Sequence, residues 1–187
     1  VWAAVLWARD RFDRVVLAGD SSGGNLAAAA AIKARDQGVP LALQVLVYPV
    51  LDSAAGTAYK LGFRQRYATF AGQAGFGEAT FDRIARIWQQ YVPDPAERTD
   101  PYASPSHADS LRGLAPTVVV TAEHDFLRGE AEDYVRRLRA DHVPVTLQEF
   151  PGQIHGFFQM RGALQDAHRA MDLVAKAIRD ALSQPPR

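Results

Sequence analysis

The sequence predicts an α/β fold, a mostly parallel sheet with crossover helices in the order β-α-β-(insert)-β-α-β-α. Two observations carry this. Short apolar runs with strand character alternate with longer stretches of helical spacing. The first such run, Arg14–Ala18, is nearly all apolar, as in a strand buried on both faces of a parallel sheet, and it passes through a Gly-rich turn straight into an Ala-rich stretch.

Each element follows from its local pattern. Val1–Ala8 is a short helix-like stretch that opens inside an apolar pattern, without Met and without a cap. Arg14–Ala18 is the first strand, and the helix from Asn25 to Gln37 stops at Gly38 and Pro40. Leu43–Val50 is the second strand. The segment from about Leu51 to Asp109 is too long for a plain connection and reads as an insert. Inside it, Thr80–Tyr91 is an amphipathic helix with Thr80 as its cap, Pro93 beyond its end, and Phe81, Ile84, Trp88 and Tyr91 on one face. The Gly-rich stretch Phe70–Gly77 fits no element. Thr117–Ala122 and Val145–Phe150 are the third and fourth strands. The helix Gly129–Ala140 carries Ala131, Tyr134, Val135 and Leu138 on one side, and Ala163–Leu182 carries Ala167, Ala170, Met171, Val174 and Ile178. These stripes read as core that covers a sheet. Ser183–Arg187 reads as a frayed end.

Composition narrows the functional classes. With 187 residues, 48% of them hydrophobic, the chain can bury one substantial core. The formal net charge is zero and no basic run occurs, so nothing points to nucleic acid or an anionic membrane. No apolar stretch reaches membrane-spanning length. The absence of cysteine excludes a disulfide framework and thiolate metal sites. No cofactor and no metal are implied. No signal peptide is visible, and the expected location is cytoplasmic.

The residues that carry chemistry sit just past strand ends. Gly19-Asp20-Ser21-Ser22-Gly23-Gly24 is a G-x-S-x-G sequence between a buried strand and a helix, the setting in which the motif means a nucleophile elbow. Glycine on both flanks allows a backbone that a Cβ would forbid. Ser21 would stand at the tip of the turn. The backbone N–H of Ser22, at the helix start, would face an oxyanion formed there. Ser22 is the competing nucleophile, but it would put Asp20 at the first glycine position. A serine hydroxyl needs a base, and the base an orienting acid. Asp125 follows the third strand and His155 the fourth, so both reach the sheet edge that carries Ser21. Glu123 is the rival acid, closer to the strand body and expected to hydrogen-bond a neighbouring loop. Among the other histidines, His107 follows a Pro-rich turn, His124 adjoins the proposed acid, His142 lies in a loop and His168 on a helix surface.

Several blocks together carry a resemblance. They are Gly19–Ala27, Tyr48-Pro49 with Asp52, Asp100–Pro105, Thr121–Arg128 and Gly152–Phe157. In this order they resemble the C-terminal part of an esterase of the hormone-sensitive-lipase-like family of α/β-hydrolases, in its G-D-S-A-G branch. The resemblance implies a partial α/β-hydrolase fold with a helical lid insert at about 51–109. It implies Ser21 as nucleophile, Asp125 as acid and His155 as base, acting on small-molecule carboxylic esters of short or medium acyl chain through an acyl-enzyme. The departures are Ser22 for the usual alanine, Phe126 for the proline that commonly follows the acid, and Gly129 where an acidic residue is common. The family's upstream H-G-G-G-type loop, which completes the oxyanion hole, does not occur in these 187 residues. The chain therefore reads as one incomplete α/β-hydrolase domain from a longer enzyme, with its first strand expected as an exposed apolar edge and low solubility or weak stability in isolation.

Two other classes remain open at this stage. One is a non-catalytic small-molecule binder of the same fold. Plant gibberellin receptors resemble this family and hold a hormone in its pocket, but such binders typically lose a triad member, whereas Ser21, Asp125 and His155 are all present. The other is a serine peptidase or amidase. Trp88 and Phe158 are candidate pocket walls, with core packing the competing role for each.

Overall fold

Four parallel strands line up in sequence order, β1 (Val16–Asp20), β2 (Leu43–Val47), β3 (Thr117–His124) and β4 (Val145–Ile154). The computed structural model describes residues 1–54, 60, 62 and 78–183. Between and around the strands lie α1 (Trp2–Arg9), α2 (Ser22–Asp36), α3 (Glu78–Tyr91), α4 (Arg128–Ala140) and α5 (Gln165–Ser183).

Side-chain alternation divides the core between the two faces of the sheet. Leu46 of β2, Val119 of β3 and Leu147 of β4 point to one face, where Ala28, Ile32, Tyr134 and Leu138 of α2 and α4 cover them. Val45, Val118, Val120 and Phe150 point to the other, under Ala170, Val174 and Ile178 of α5. Alanine dominates the sheet-facing side of α2 because that helix lies close to the strands, and Ala28 and Ala34 are fully buried. Helix α1 packs on the outer flank of α2 through Val5, Ala30, Ala34 and Val39.

The first strand forms the expected edge, and it is less covered than its apolar run suggests. It begins two residues later, at Val16, and none of its five residues is fully buried. It pairs with β2 on one side and forms an edge among the described residues, with Ala18 exposed. Strand β2 stops at Val47, short of the expected Val50. Tyr48 takes a φ of 33° and Pro49 follows, so the ladder cannot continue. Strand β4 runs on to Ile154 rather than Phe150, after an irregularity opposite Ala122 and His124. Helix α2 starts three residues before Asn25, directly at Ser22, with Ser21 at the N-cap position and no side-chain cap hydrogen bond.

In the insert, α3 begins at Glu78, so Thr80 lies inside the helix rather than at its cap. Trp88 is buried at 5% exposure, but Tyr91, expected on the same covered face, is 45% exposed. Phe70–Gly77 lies outside the described residues. The two ends of the insert are pinned together: the Ser106 N–H donates to Leu51 O at 2.9 Å and the Ser53 N–H to Ser104 Oγ at 3.1 Å.

Candidate functional site

The turn after β1 is held in a conformation few residues adopt. Ser21 has φ 54° and ψ −116°, a sparsely populated region that costs on the order of 1–3 kcal/mol for a non-glycine residue. Three backbone hydrogen bonds fix it: its N–H donates to Val47 O at 2.9 Å, and its carbonyl accepts from Asn25 and Val50, both at 3.1 Å. The strained φ therefore sits on the serine and not on the flanking glycines, which corrects the sequence reading. Gly19 is required for another reason. A Cβ there would stand 2.1 Å from Gly23 O. Gly24 is likewise pressed against Pro49, 2.8 Å from an added Cβ, whereas a Cβ on Gly23 meets nothing within 4 Å.

This turn brings Ser21 to the candidate base. Ser21 Oγ lies 3.0 Å from His155 Nε2. His155 Nδ1 lies 2.8 Å from Asp125 Oδ2. A carboxylate can only accept, so Nδ1 carries the proton and Nε2 is left to accept from the serine hydroxyl. Asp125 is fully buried, and its second oxygen accepts the Leu127 N–H at 2.8 Å. His155 is followed by Gly156, whose φ of 87° permits the reversal into the short 3-10 turn Phe157–Gln159. Ser22 is the first residue of α2, so its N–H has no acceptor within the helix and stands beside Ser21.

The competing residues occupy other positions. Glu123 Oε2 accepts the Gly152 N–H at 2.7 Å, so the rival acid ties its own loop to the one that leads to His155. His124 is 3.9 Å from Glu123, His107 is 3.2 Å from Asp52 Oδ1, and His168 donates to Arg161 O at 2.8 Å. His142 takes a φ of 59° in the turn before β4. Trp88 packs against Tyr91, with ring centroids 5.7 Å apart, and Phe158 packs against the core layer under α5. Among the described residues no cluster of three or more His, Asp or Glu side chains is arranged to hold a metal. No described helix is long and apolar enough to cross a membrane. A surface cleft of about 470 Å³, lined by Arg35, Asp36, Tyr102, Ser110 and Arg112, lies at the C-terminal end of α2. At 1.5 Å per residue that is roughly 20 Å from Ser21, too far to serve it.

Other residues at the site escaped the sequence reading. Tyr48 packs its ring 4.7 Å from the His155 ring, and Phe126 lies at 5.5 Å. Burial, with the negative charges of Asp20 and Asp125 nearby, holds the Tyr48 phenol far above its ordinary range. Asp20 Oδ2 accepts from Gln159 Nε2 at 2.5 Å. Asn25 reaches Ala103 O at 2.8 Å, which explains the Asp100–Pro105 block: its turn, closed by Asp100, presents that carbonyl to the first turns of α2. Behind the acid loop, Glu130 forms a buried ion pair with Lys60 at 2.7 Å and accepts the Leu51 N–H at 2.8 Å. Tyr48 and Asp20 were legible as parts of blocks, and Glu130 adjoins the noted Gly129; nothing in the sequence gave their partners.

The fold is shared with known proteins. Residues 1–159 match the family described as having the alpha/beta hydrolase fold. The ethyl acetate hydrolase of Pseudomonas putida is 32% identical over 171 residues, which cover 90% of this chain and 51% of that protein. Carboxylesterase NlhH of Mycobacterium tuberculosis is 33% identical, over 97% of this chain and 57% of that protein. Among solved structures, the thermophilic carboxylesterase EstE1 from a metagenomic library superposes with a TM-score of 0.85 at 37% identity, covering 98% of this chain and 62% of that one. The chain spans about half the length of the curated relatives it matches. By these matches, and by the blocks that surround Ser21, Asp125 and His155, the chain belongs to the alpha/beta hydrolase fold family, in its hormone-sensitive-lipase-like carboxylesterase group.

Proposed function

We propose that this chain carries the catalytic centre of a serine carboxylesterase, with Ser21 as nucleophile, His155 as general base and Asp125 as its orienting acid. The observation that carries the reading is the continuous relay of 3.0 Å from Ser21 Oγ to His155 Nε2 and 2.8 Å from Nδ1 to Asp125 Oδ2, on a serine held at φ 54°. Strain kept at one residue of this relay fits a nucleophile better than a structural turn.

His155 Nε2 takes the hydroxyl proton as Ser21 Oγ attacks the ester carbonyl carbon. The carbonyl oxygen becomes an oxyanion beside the Ser22 N–H. The C–O bond to the alcohol then breaks, and His155 returns its proton to the leaving alcohol. Water attacks the acyl-enzyme by the same route and releases the acid. Asp125 keeps the imidazole in the required tautomer and stabilises the imidazolium. The substrates are esters of short or medium acyl chain. The part of the insert that is described, α3 and the turns up to Asp109, is read as belonging to a lid over the ester site, with Trp88 and Phe158 offered as its walls. The relatives' names, ethyl acetate hydrolase and carboxylesterase, support the substrate class.

Ser21→Ala in the full-length protein is expected to lower hydrolysis of a chromogenic short-chain ester by at least about a thousandfold. Retention of most turnover would remove Ser21 from its role. Comparison with an aminopeptide chromogenic substrate separates the esterase from a peptidase. Among the described residues the Ser22 N–H is the candidate oxyanion donor. Joining an H-G-G-G-type loop upstream is expected to raise turnover by about 100- to 1000-fold, read from kcat of the short and extended chains.

A further inference from the structure

We infer that Asp20 and Gln159 form a second tie between the nucleophile turn and the base-bearing turn, and act as positioning residues for the Ser21–His155 contact. This rests on the triad reading given above. Ser21 and His155 are 134 residues apart in sequence and meet through one direct hydrogen bond, 3.0 Å long. The elements that carry them, β1 and the loop after β4, stand at opposite ends of the four-stranded sheet order, with β2 and β3 between them. Asp20 is the last residue of β1 and immediately precedes Ser21. Gln159 ends the short turn that starts at Gly156, next to His155, and its own N–H donates to Gly156 O at 3.1 Å. The Gln159 Nε2 to Asp20 Oδ2 bond, at 2.5 Å, therefore joins the two turns one residue from the nucleophile and four from the base.

Tyr48 braces the same carboxylate. Its hydroxyl lies 3.5 Å from Asp20 Oδ2 while its ring packs 4.7 Å from the imidazole. Tyr48 is itself fixed by burial and by its N–H to Val120 O at 2.7 Å. A carboxylate at position 20 thus accepts from one group on the base-bearing turn and lies beside another that supports the imidazole face. A shift of about 1 Å in a reacting pair costs up to roughly a hundredfold in rate. A tie at this place acts on the Ser21–His155 distance without touching substrate.

The test exchanges the partners in the full-length protein. Gln159→Glu sets two carboxylates against each other and is expected to lower kcat roughly ten- to hundredfold with KM held within about twofold. Labelling of Ser21 by a fluorophosphonate should slow in parallel. Adding Asp20→Asn restores a hydrogen bond in the reverse direction, Asn Nδ2 to Glu Oε, and should recover most of the lost kcat. Thermal melts of all variants accompany the kinetics. If Gln159→Glu does not fold, Gln159→Leu removes the donor without adding charge, and kcat should fall with KM held. The proposal is overturned by wild-type kcat in the variant that folds, by a loss carried in KM alone, or by a folded double variant no better than Gln159→Glu. Ser21→Ala is the control: if it still hydrolyses ester, the triad reading fails and takes this proposal with it, whereas an inactive Ser21→Ala with an unimpaired Gln159 variant overturns the tie alone.

Discussion

Gly19 and Gly23 flank the same serine under different constraints. An added Cβ at Gly19 would overlap Gly23 O at 2.1 Å, backbone against backbone, which no rotamer relieves. Gly19→Ala is therefore expected to cost at least about 3 kcal/mol, the upper end for overpacking. Gly23 lies in the first turn of α2 with open space around its would-be Cβ. Gly23→Ala should leave stability unchanged or raise it by about 0.5–1 kcal/mol, since alanine favours the helix. Urea denaturation of the two variants checks the contrast, and equal losses would contradict this account of the turn. The sequence marked both glycines as necessary. Only the approach of the turn to its own helix separates them, and that approach depends on coordinates rather than residue type.

At the scale of elements, the base of the insert meets the start of α4 through Glu130. Burial pushes its carboxyl up to about 7 from an ordinary value near 4.5, against the opposing pull of Lys60. A carboxyl whose pKa is raised on folding binds its proton more tightly in the folded than in the unfolded state. Its stabilising share is complete below about pH 4.5 and is lost as pH rises through about 7. Wild type should thus lose stability relative to Glu130→Gln across that window, seen as a falling difference in Tm between the two. A difference that does not vary with pH would mean Glu130 stays ionised in the folded protein. The pair Lys60–Glu130 was not legible in the sequence. Lysine and glutamate 70 positions apart are ordinary surface residues until the fold buries both, at 6% and 5% side-chain exposure. The helices α2, α4 and α5 were legible because their apolar spacing repeats over many residues. Their ends were less so: α2 begins at Ser22 because of the turn geometry and not because of any cap residue.

At the scale of the whole molecule, β1 and β4 are the two edges of the sheet among the described residues, and β1 is the more apolar of them. It pairs with β2 alone among the described residues, and Ala18 is exposed on it, while Trp7 and Phe12 nearby are 53% and 57% exposed. An unpaired apolar strand edge is a template for pairing with another chain. The 187-residue chain is expected to self-associate, and Ala18→Lys should shift it towards monomer in size-exclusion chromatography with light scattering. A monomeric chain with a cooperative melt would count against this. The nearly all-apolar run at Arg14–Ala18 announced a strand suited to burial on both faces; the sheet order puts it at an edge among the described residues.

The sequence by itself determined the alternation of strands and helices, and it marked three strand ends as the places where chemistry-bearing residues gather. Both follow from local rules, hydrophobic period and turn chemistry, that need only neighbouring residues. It also offered Ser21, Asp125 and His155 in a workable order but left Glu123 and Ser22 as rivals. The tertiary structure sets their distances apart: His155 lies within hydrogen-bond reach of Ser21 and Asp125, while Glu123 accepts the Gly152 N–H. It alone set Tyr48 against the imidazole, joined Asp20 to Gln159 and paired Lys60 with Glu130. Each of these is a contact between segments far apart in the chain, and no local pattern encodes which distant side chain will arrive.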